Sequence, residues 1–510
     1  MFDLPGARSV ERNPSQRRLR EMAVTTMPRL TETEYGNFNY QAEITARLKN
    51  STFFVSDRDI RQNRISRSEA HEWAVKQDAH IADQEMILIE GYIGPDTGFR
   101  TGSRLFIEAR QPNIAGMQTQ LFFPPDPGWS PEFTVIYTPT LRAPGKPDDR
   151  LIIVDLENWV TRVFGSDYFG ESKMGGLRMW NRLVFDRGGL ALHAGLKTYP
   201  AESTLSGAEE SMLIIGLSGT GKTTTTFRQQ AGSLPVQDDF VALMSGGRVH
   251  TSEAGCFAKT WGLDPDDEPT IYGGTTRPDA WLENVSVTSD GAVDFFDTSY
   301  TANGRCTFPL ANIRHRDPSG VPPARYLLIL NRSDHVIPAV ARLSRSQIPA
   351  YFMLGETKGT SAGGVAEAGK SLRVPGTNPF FFDDDSLQGN RLLELLETMP
   401  DLGAYVLNTG RVGGEGHGSK KVRIPDSSAI VQGIVEGTIQ WRIDQDFGYD
   451  VGESVPGIDD IELLQPRRLY ETQGRVEEYE AIVSRLKKER VEYLDAFPTL
   501  SPSVKEGLGS

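Results

Sequence analysis

Apolar and polar positions alternate along the chain in patterns that predict discrete elements. Met86-Ile-Leu-Ile-Glu-Gly-Tyr92 is a near-continuous apolar run and predicts a buried strand. Ahead of it, Ser66 to Asp83 is polar and helix-like, and its opening Ser66-Arg-Ser-Glu69 fits a capping box. Residues 30–200 as a whole mix strand and helix patterns, broken by Pro- and Gly-rich loops near 124–131 and 143–149. Ser211-Met-Leu-Ile-Ile215 is a short apolar run ending on a glycine-rich turn, and Thr223 to Thr226 opens the next element. That order predicts strand, loop, then helix. Between 280 and 310 the alternation and the turn Ser289-Asp290-Gly291 predict a β-hairpin. The segment 355–378 is rich in Gly, Ser, Thr and Ala and has no period, which predicts a long loop of the functional or mobile kind. Arg475 to Ala496, behind Gly474, predicts a charged amphipathic helix, and the last dozen residues are expected to fray. There is no internal repeat.

Composition narrows the class. With 510 residues, 38% hydrophobic and 24% charged, the chain has the balance of a globular protein large enough for a sizeable core. The net charge of −14 argues against nucleic-acid partners, which need Lys and Arg arrayed along phosphates. A locally basic cleft for an anionic substrate remains compatible with it. The two cysteines, Cys256 and Cys306, form no C-x-x-C pair, so a thiolate metal site is not expected and reduced thiols of a cytoplasmic protein are. No apolar run reaches the roughly 18 residues of a membrane span. The first 30 residues carry Arg8, Arg12, Arg17, Arg18 and Arg20 without an apolar h-region and are expected to be a disordered arm, not a secretory signal.

The central motif is Gly216-Leu-Ser-Gly-Thr-Gly-Lys222-Thr223, a match to G-x-x-x-x-G-K-[ST] placed after a predicted strand and before a helix. Its glycines let backbone N–H groups turn inward around phosphate oxygens. Gly216, Leu217, Ser218, Gly219, Thr220, Gly221 and Thr224 are therefore candidate ATP-binding positions. Lys222 is expected to reach the β/γ-phosphates, and the Thr223 hydroxyl to bind Mg²⁺. Asp238-Asp239, fifteen to sixteen residues beyond Thr223, is the candidate acidic pair for the metal, expected at the end of the following strand.

These motifs continue in an order that resembles the ATP-dependent phosphoenolpyruvate carboxykinases. Glu253-Ala-Gly-Cys-Phe-Ala-Lys259-Thr260 is similar to that family's E-G-G-C-Y-A-K-T, and Glu268-Pro-Thr-Ile-Tyr272 to its E-P-E-I-Y. Glu283-Asn-Val-Ser-Val, Asp290-Gly and Asp294-Phe resemble the next block. Thr301-Ala-Asn-Gly-Arg305 stands where the family has T-E-N-T-R, and Tyr405-Val-Leu-Asn-Thr-Gly410 resembles Y-L-V-N-T-G. The likeness spans roughly residues 40 to 495, strongest from 210 to 310. It implies an α/β fold with an N-terminal mixed domain packed on a P-loop nucleotide-binding domain. On this chain that gives an arm over 1–30, a substrate-side domain over 31–205 and a catalytic domain over 206–500. It also implies a gluconeogenic reaction in which oxaloacetate and ATP give phosphoenolpyruvate, CO₂ and ADP, with Mg²⁺ at the nucleotide and Mn²⁺ at the substrate.

The resemblance also implies site residues. Thr45-Ala-Arg47 to Phe53 is the counterpart of the family's T-G-R-S-P-K-D-K-F, making Arg47 the grip on a substrate carboxylate. Tyr168-Phe-Gly-Glu-Ser-Lys173-Met174 resembles Y-x-G-E-M-K-K, with Tyr168 in the carboxylate pocket and Lys173 as the first lysine. The second lysine, a metal ligand in the family, is Met174 here, and a thioether is a poor ligand for Mn²⁺. His193 has the spacing of the metal-binding histidine and would act with Asp239, while Arg305 would contact both γ-phosphate and substrate. Lys259 is a further basic candidate. The nucleotide loop G-K-R-I-S is replaced by Ser419-Lys-Lys-Val-Arg-Ile, which leaves Lys421 or Arg423 to support adenine.

Three functions stay open on this reading: a working carboxykinase, a kinase of the same fold acting on another small acceptor, and a nucleotide-binding pseudoenzyme. The partners expected are small molecules only, with no nucleic acid and no membrane. Closure of the 355–378 loop over the site is a further expectation.

Overall fold

The computed structural model of the chain describes residues 2–217, 219–358, 371–416 and 418–509. Its contacts divide into two compact units. The first comprises Met1–Asp186, Thr251–Arg314 and Phe380–Asp383, and the second Arg187–His250, His315–Pro379 and Asp384–Ser510. This differs from the linear division anticipated at 205–206. The reason is strand pairing: Gly255–Lys259, Arg305–Pro309 and Trp281–Glu283 form one sheet with Phe38–Tyr40 and Leu30–Glu32. A stretch far along the chain is thereby stitched to its beginning.

The first unit also holds a mixed sheet in the order Ser9–Arg12, Glu85–Ile93, Thr101–Glu108, Phe133–Thr138, Val160–Phe164, Leu151–Asp155, Thr52–Val55 and Arg64–Ile65. The strand predicted over 86–92 is its Glu85–Ile93, apolar because it is buried almost throughout. The predicted helix before it runs Arg67–Ile81, with Ser66 Oγ accepting from the Glu69 N–H at 3.2 Å. The disordered arm is not found. Ser9–Arg12 pairs in parallel with Glu85–Leu88, and Gln16–Thr26 is a helix capped by Ser15. Leu19, Met22 and Ala23 recur at helical spacing and are buried against the helix Pro112–Leu121. Phe2, Leu4 and Ala7 pack on the cluster around Ile81, Met86 and Leu88. The arginines of this stretch had masked a few well-spaced apolar anchors.

The second unit is built on a mixed sheet whose centre runs Leu234–Leu243, Leu190–Tyr199, Glu210–Ile215, Ala324–Asn331, Gly403–Asn408 and Val340–Leu343. Glu210–Ile215 pairs antiparallel with Leu190–Tyr199 and parallel with Ala324–Asn331. The helix Ile424–Glu436 buries Ile430, Val431 and Ile434 with Met212, Ile214, Leu328 and Leu407 of this sheet. The C-terminal helix spans Val476–Asp495, as predicted. The expected fraying beyond it is corrected by the short helix Pro502–Glu506, whose Val504 is fully buried. The ends of the 355–378 segment are not loop. Glu356–Lys358 pairs antiparallel with Ser371–Arg373, and its residues 359–370 lie outside the described residues. The predicted hairpin exists as Ser286–Val287 against Val293–Asp294, with Gly291 at φ +91° in its turn. Cys256 and Cys306 are both buried.

Candidate active site

In the second unit the strand Glu210–Ile215 delivers the chain to the glycine turn, and the helix Lys222–Phe227 leaves it. Gly219 and Gly221 have φ of +83° and +90°, a region that favours glycine. A Cβ at Gly216 would sit 2.4 Å from Thr220 Oγ1. The Leu217 carbonyl accepts from the Thr220 hydroxyl at 2.8 Å, and the Thr220 carbonyl accepts from Thr409 Oγ1 at 2.8 Å. The motif Tyr405–Gly410 thus supports the turn. Thr224 lies in the helix and accepts from the Arg228 N–H. Ser218 lies outside the described residues.

Asp238 and Asp239 lie inside the strand Leu234–Leu243, not at its end as expected. That strand is antiparallel to Leu190–Tyr199, so the register sets Asp239 opposite Ala194 and Asp238 opposite Gly195. A side chain at Gly195 would collide with Thr226 Oγ1, so its absence lets the helix approach the strand. The approach brings Thr223 Oγ1 to 2.5 Å from Asp238 Oδ2 and Lys222 Nζ to 3.3 Å from Asp238 Oδ1 and 3.9 Å from Asp239 Oδ1.

His193, on Leu190–Tyr199, places Nε2 3.0 Å from Asp239 Oδ1 and Nδ1 3.1 Å from the Thr377 carbonyl. Desolvation first, then the Lys222 charge, lowers its pKa, favouring neutral imidazole, the metal-binding form. Hydrogen bonds from the ring to Asp239 and to the Thr377 carbonyl oppose that shift. Two ligands at about 2.1 Å and right angles are about 3 Å apart, so the observed separation fits a shared divalent ion. Among the described residues no group of three or more His, Cys, Asp and Glu gathers that could hold a metal ion.

In the first unit the loop ahead of Arg47 is held by side chains. Asp167 accepts from the N–H groups of Glu43 and Ile44, at 2.7 and 3.0 Å. Asn284 accepts from the Ala42 N–H and donates to the Ile44 carbonyl. Asn303 donates to the Thr45 carbonyl at 2.6 Å, and Glu171 accepts from the Leu48 N–H at 2.8 Å. Arg47 is exposed as a residue, while its guanidinium carbon lies 4.4 Å from the centre of the Phe380 ring. Its pKa is lowered, chiefly through desolvation of the head group. Glu171 and Tyr168 oppose that shift, and Arg178 and Arg305 add to it. Arg47, Tyr168 and Arg305 therefore lie within electrostatic range of one another.

Arg305 donates to Asn303 Oδ1 at 2.8 Å and keeps a buried Nε–H without an acceptor. Lys259 Nζ is also buried without an acceptor, 5.0 Å from the Trp261 ring, and desolvation followed by the Arg305 charge lowers its pKa to about 8. Guanidinium and ammonium donors left over in a buried cluster are the signature of an anion site. Lys173 is different: Glu253 neutralises it in a buried ion pair at 3.0 Å. Met174 is buried at 4% exposure, like a core residue.

The adenine candidates do not converge. Lys421 is exposed in the short strand Lys420–Lys421, and Arg423 pairs with Asp426 at the start of the helix Ile424–Glu436. The residues missed from sequence are the ones that hold others: Asp167, Glu171, Asn284 and Asn303. Glu171, Asn284 and Asn303 lie inside quoted motifs, where proximity to Tyr168, Glu283 and Arg305 was the available signal. Phe380 had none.

The chain matches the phosphoenolpyruvate carboxykinase family over residues 8–461. It is 32% identical over 412 residues to a protein of Aeropyrum pernix named phosphoenolpyruvate carboxykinase (ATP), which covers 78% of each chain. Proteins of the same name from Mesorhizobium japonicum and Alkaliphilus oremlandii are 29% and 26% identical. They align over 76% and 84% of this chain and 73% and 81% of their own length. A match of this extent shows that the chain belongs to the ATP-dependent phosphoenolpyruvate carboxykinase family.

Proposed function

We propose that the chain is a cytoplasmic carboxykinase converting oxaloacetate and ATP to phosphoenolpyruvate, CO₂ and ADP. The observation that carries this reading is the cationic cluster of the first unit, where Arg47 and Arg305 lie within electrostatic range of Tyr168, Lys259 lies within range of Arg305, and Arg305 and Lys259 each keep a buried donor without an acceptor. A dicarboxylate supplies the missing counter-charge. Arg47 and Tyr168 hold its carboxylate, while Arg305 and Lys259 stabilise negative charge as it develops. The C–C bond to the departing carboxylate breaks, CO₂ leaves, and the electron pair forms an enolate. The enolate oxygen then attacks the γ-phosphorus and ADP departs. The second unit's turn, from Gly216 to Thr223, acts as the phosphate loop, with Lys222 on the β/γ-phosphates. Thr223 with Asp238 would hold Mg²⁺, and His193 with Asp239 would hold Mn²⁺. Bound there, the cations supply Lewis-acid stabilisation of negative charge.

Met174, standing where the family has a metal-binding lysine, supports a second reading, a kinase of the same fold with another small acid as acceptor. One experiment separates them. Purified protein is incubated with oxaloacetate, ATP, Mg²⁺ and Mn²⁺, and ADP and phosphoenolpyruvate are followed together. Equal amounts of both, abolished by Arg305→Ala, are expected. ATP binding without phosphoenolpyruvate would remove the carboxykinase reading and leave the other acceptor.

A further inference from the structure

Glu171 and Arg178 lie on one buried helix, Phe169–Asp186, seven residues and so two turns apart. Arg178 Nη2 donates to Glu171 Oε2 at 3.0 Å. The other oxygen of the same carboxylate, Oε1, accepts the Leu48 N–H at 2.8 Å. Leu48 directly follows Arg47. One carboxylate therefore joins a buried guanidinium to the backbone that carries the substrate-gripping arginine.

Neither charge is there for solubility. Glu171 is fully buried and Arg178 is 5% exposed. Arg178 even keeps a buried Nη1 without an acceptor, a cost that a residue serving only to fill space would avoid. The Glu171 carboxylate is held from two sides, and loss of Arg178 removes one of those holds. Arg178 also lies one turn beyond Met174 on the same helix face, and within electrostatic range of Arg47.

We propose that Arg178 is a positioning residue for substrate binding, which holds Glu171 oriented so that Glu171 fixes the Leu48 N–H and thereby the reach of Arg47. This rests on the reading of Arg47 as the carboxylate grip. The ligand class is a small dicarboxylate.

The test is a set of variants, Arg178→Met, Arg178→Lys, Glu171→Gln and the double Arg178→Met/Glu171→Gln. It uses two readouts: steady-state phosphoenolpyruvate formation, and calorimetric binding of oxalate to the whole protein without turnover. Loss of a charge-assisted link predicts that Arg178→Met raises both the KM for oxaloacetate and the Kd for oxalate about tenfold. The kcat and the KM for ATP should stay within about twofold. Arg178→Lys should recover most of the loss, and the double variant should be no worse than Glu171→Gln alone. An unchanged oxalate Kd overturns the proposal, as does a parallel loss of oxaloacetate and ATP affinity with a lowered melting temperature. Absence of oxalate binding to the unmodified protein also overturns it. If Arg178→Met does not fold, Glu171→Gln must alone raise the oxalate Kd, and failure to do so is equally fatal. Phosphoenolpyruvate formed with an unmoved KM sinks this proposal alone. No phosphoenolpyruvate at all sinks the carboxykinase reading, and the oxalate series still decides the role of Arg178.

Discussion

Thr223 donates its hydroxyl proton to Asp238 Oδ2 at 2.5 Å, while Lys222 Nζ stands 3.3 Å from the other oxygen of that carboxylate. Asp238 thus restrains the two groups assigned to phosphate and metal. Its replacement by Asn has opposed consequences. The ammonium of Lys222 loses its nearer counter-charge, so metal-free ATP should bind more tightly. The cation loses a carboxylate, so turnover with Mg²⁺ should fall by about a hundredfold or more. Calorimetry in the presence of a chelator, set beside kcat with Mg²⁺, checks both signs; weaker ATP binding in both conditions would contradict this account.

Manganese binding should depend on the pair His193 and Asp239. Their 3.0 Å separation suits a shared cation, and the Thr377 carbonyl fixes the ring. His193→Ala should weaken Mn²⁺ binding, followed by the electron paramagnetic resonance of free Mn²⁺, by at least about tenfold. The nucleotide-free fold should be unaffected, because the residue facing His193 across the strands, Phe240, keeps its own burial.

What the sequence disclosed follows from how local each signal is. The turn from Gly216 to Thr223 is local: its glycines, its lysine and the strand before it are contiguous, so residues and structure coincide. Asp238 and Asp239 were legible as a pair but not in place, because the antiparallel pairing with Leu190–Tyr199 sets them mid-strand. Arg47 was legible only by likeness, since the side chains holding its loop come from Asp167, Glu171, Asn284 and Asn303, more than a hundred residues away. The N-terminal segment misled because its arginines drew the reading toward a solvated arm, although the spacing of Leu19, Met22 and Ala23 is what the fold uses.

Activity should fall on the alkaline side. Lys259 is held to about pH 8 by desolvation and by Arg305. Below that pH its ammonium adds positive charge to the anion site; above it the charge is lost. The kcat/KM for oxaloacetate should therefore decline as pH rises through about 8. Lys259→Arg, charged throughout this range, should move that limb upward. An identical limb in the variant would assign the ionisation elsewhere.

Glu283 offers a test of the same cluster through stability. Its side chain is completely buried, with Oε1 accepting the Phe169 N–H at 2.8 Å and Oε2 without a partner. Desolvation pushes its pKa well above the usual carboxylate range, against the pull of that N–H and of Arg305. The folded protein therefore favours the neutral carboxyl more strongly than the unfolded chain, which ionises near pH 4.3. Such a group contributes its full stability below that pH and loses it as pH rises toward the folded value. Glu283→Gln keeps the shape and an acceptor for the Phe169 N–H, yet never ionises. The stability of the variant relative to the unmodified protein should be lowest near pH 4 and should grow by about 1.4 kcal/mol per pH unit above it. Denaturant unfolding at pH 5, 6 and 7 measures that slope. A flat difference would mean that Glu283 is ionised in the folded state, and then the positive charge of Arg305 would already be balanced within the protein rather than left for a substrate carboxylate.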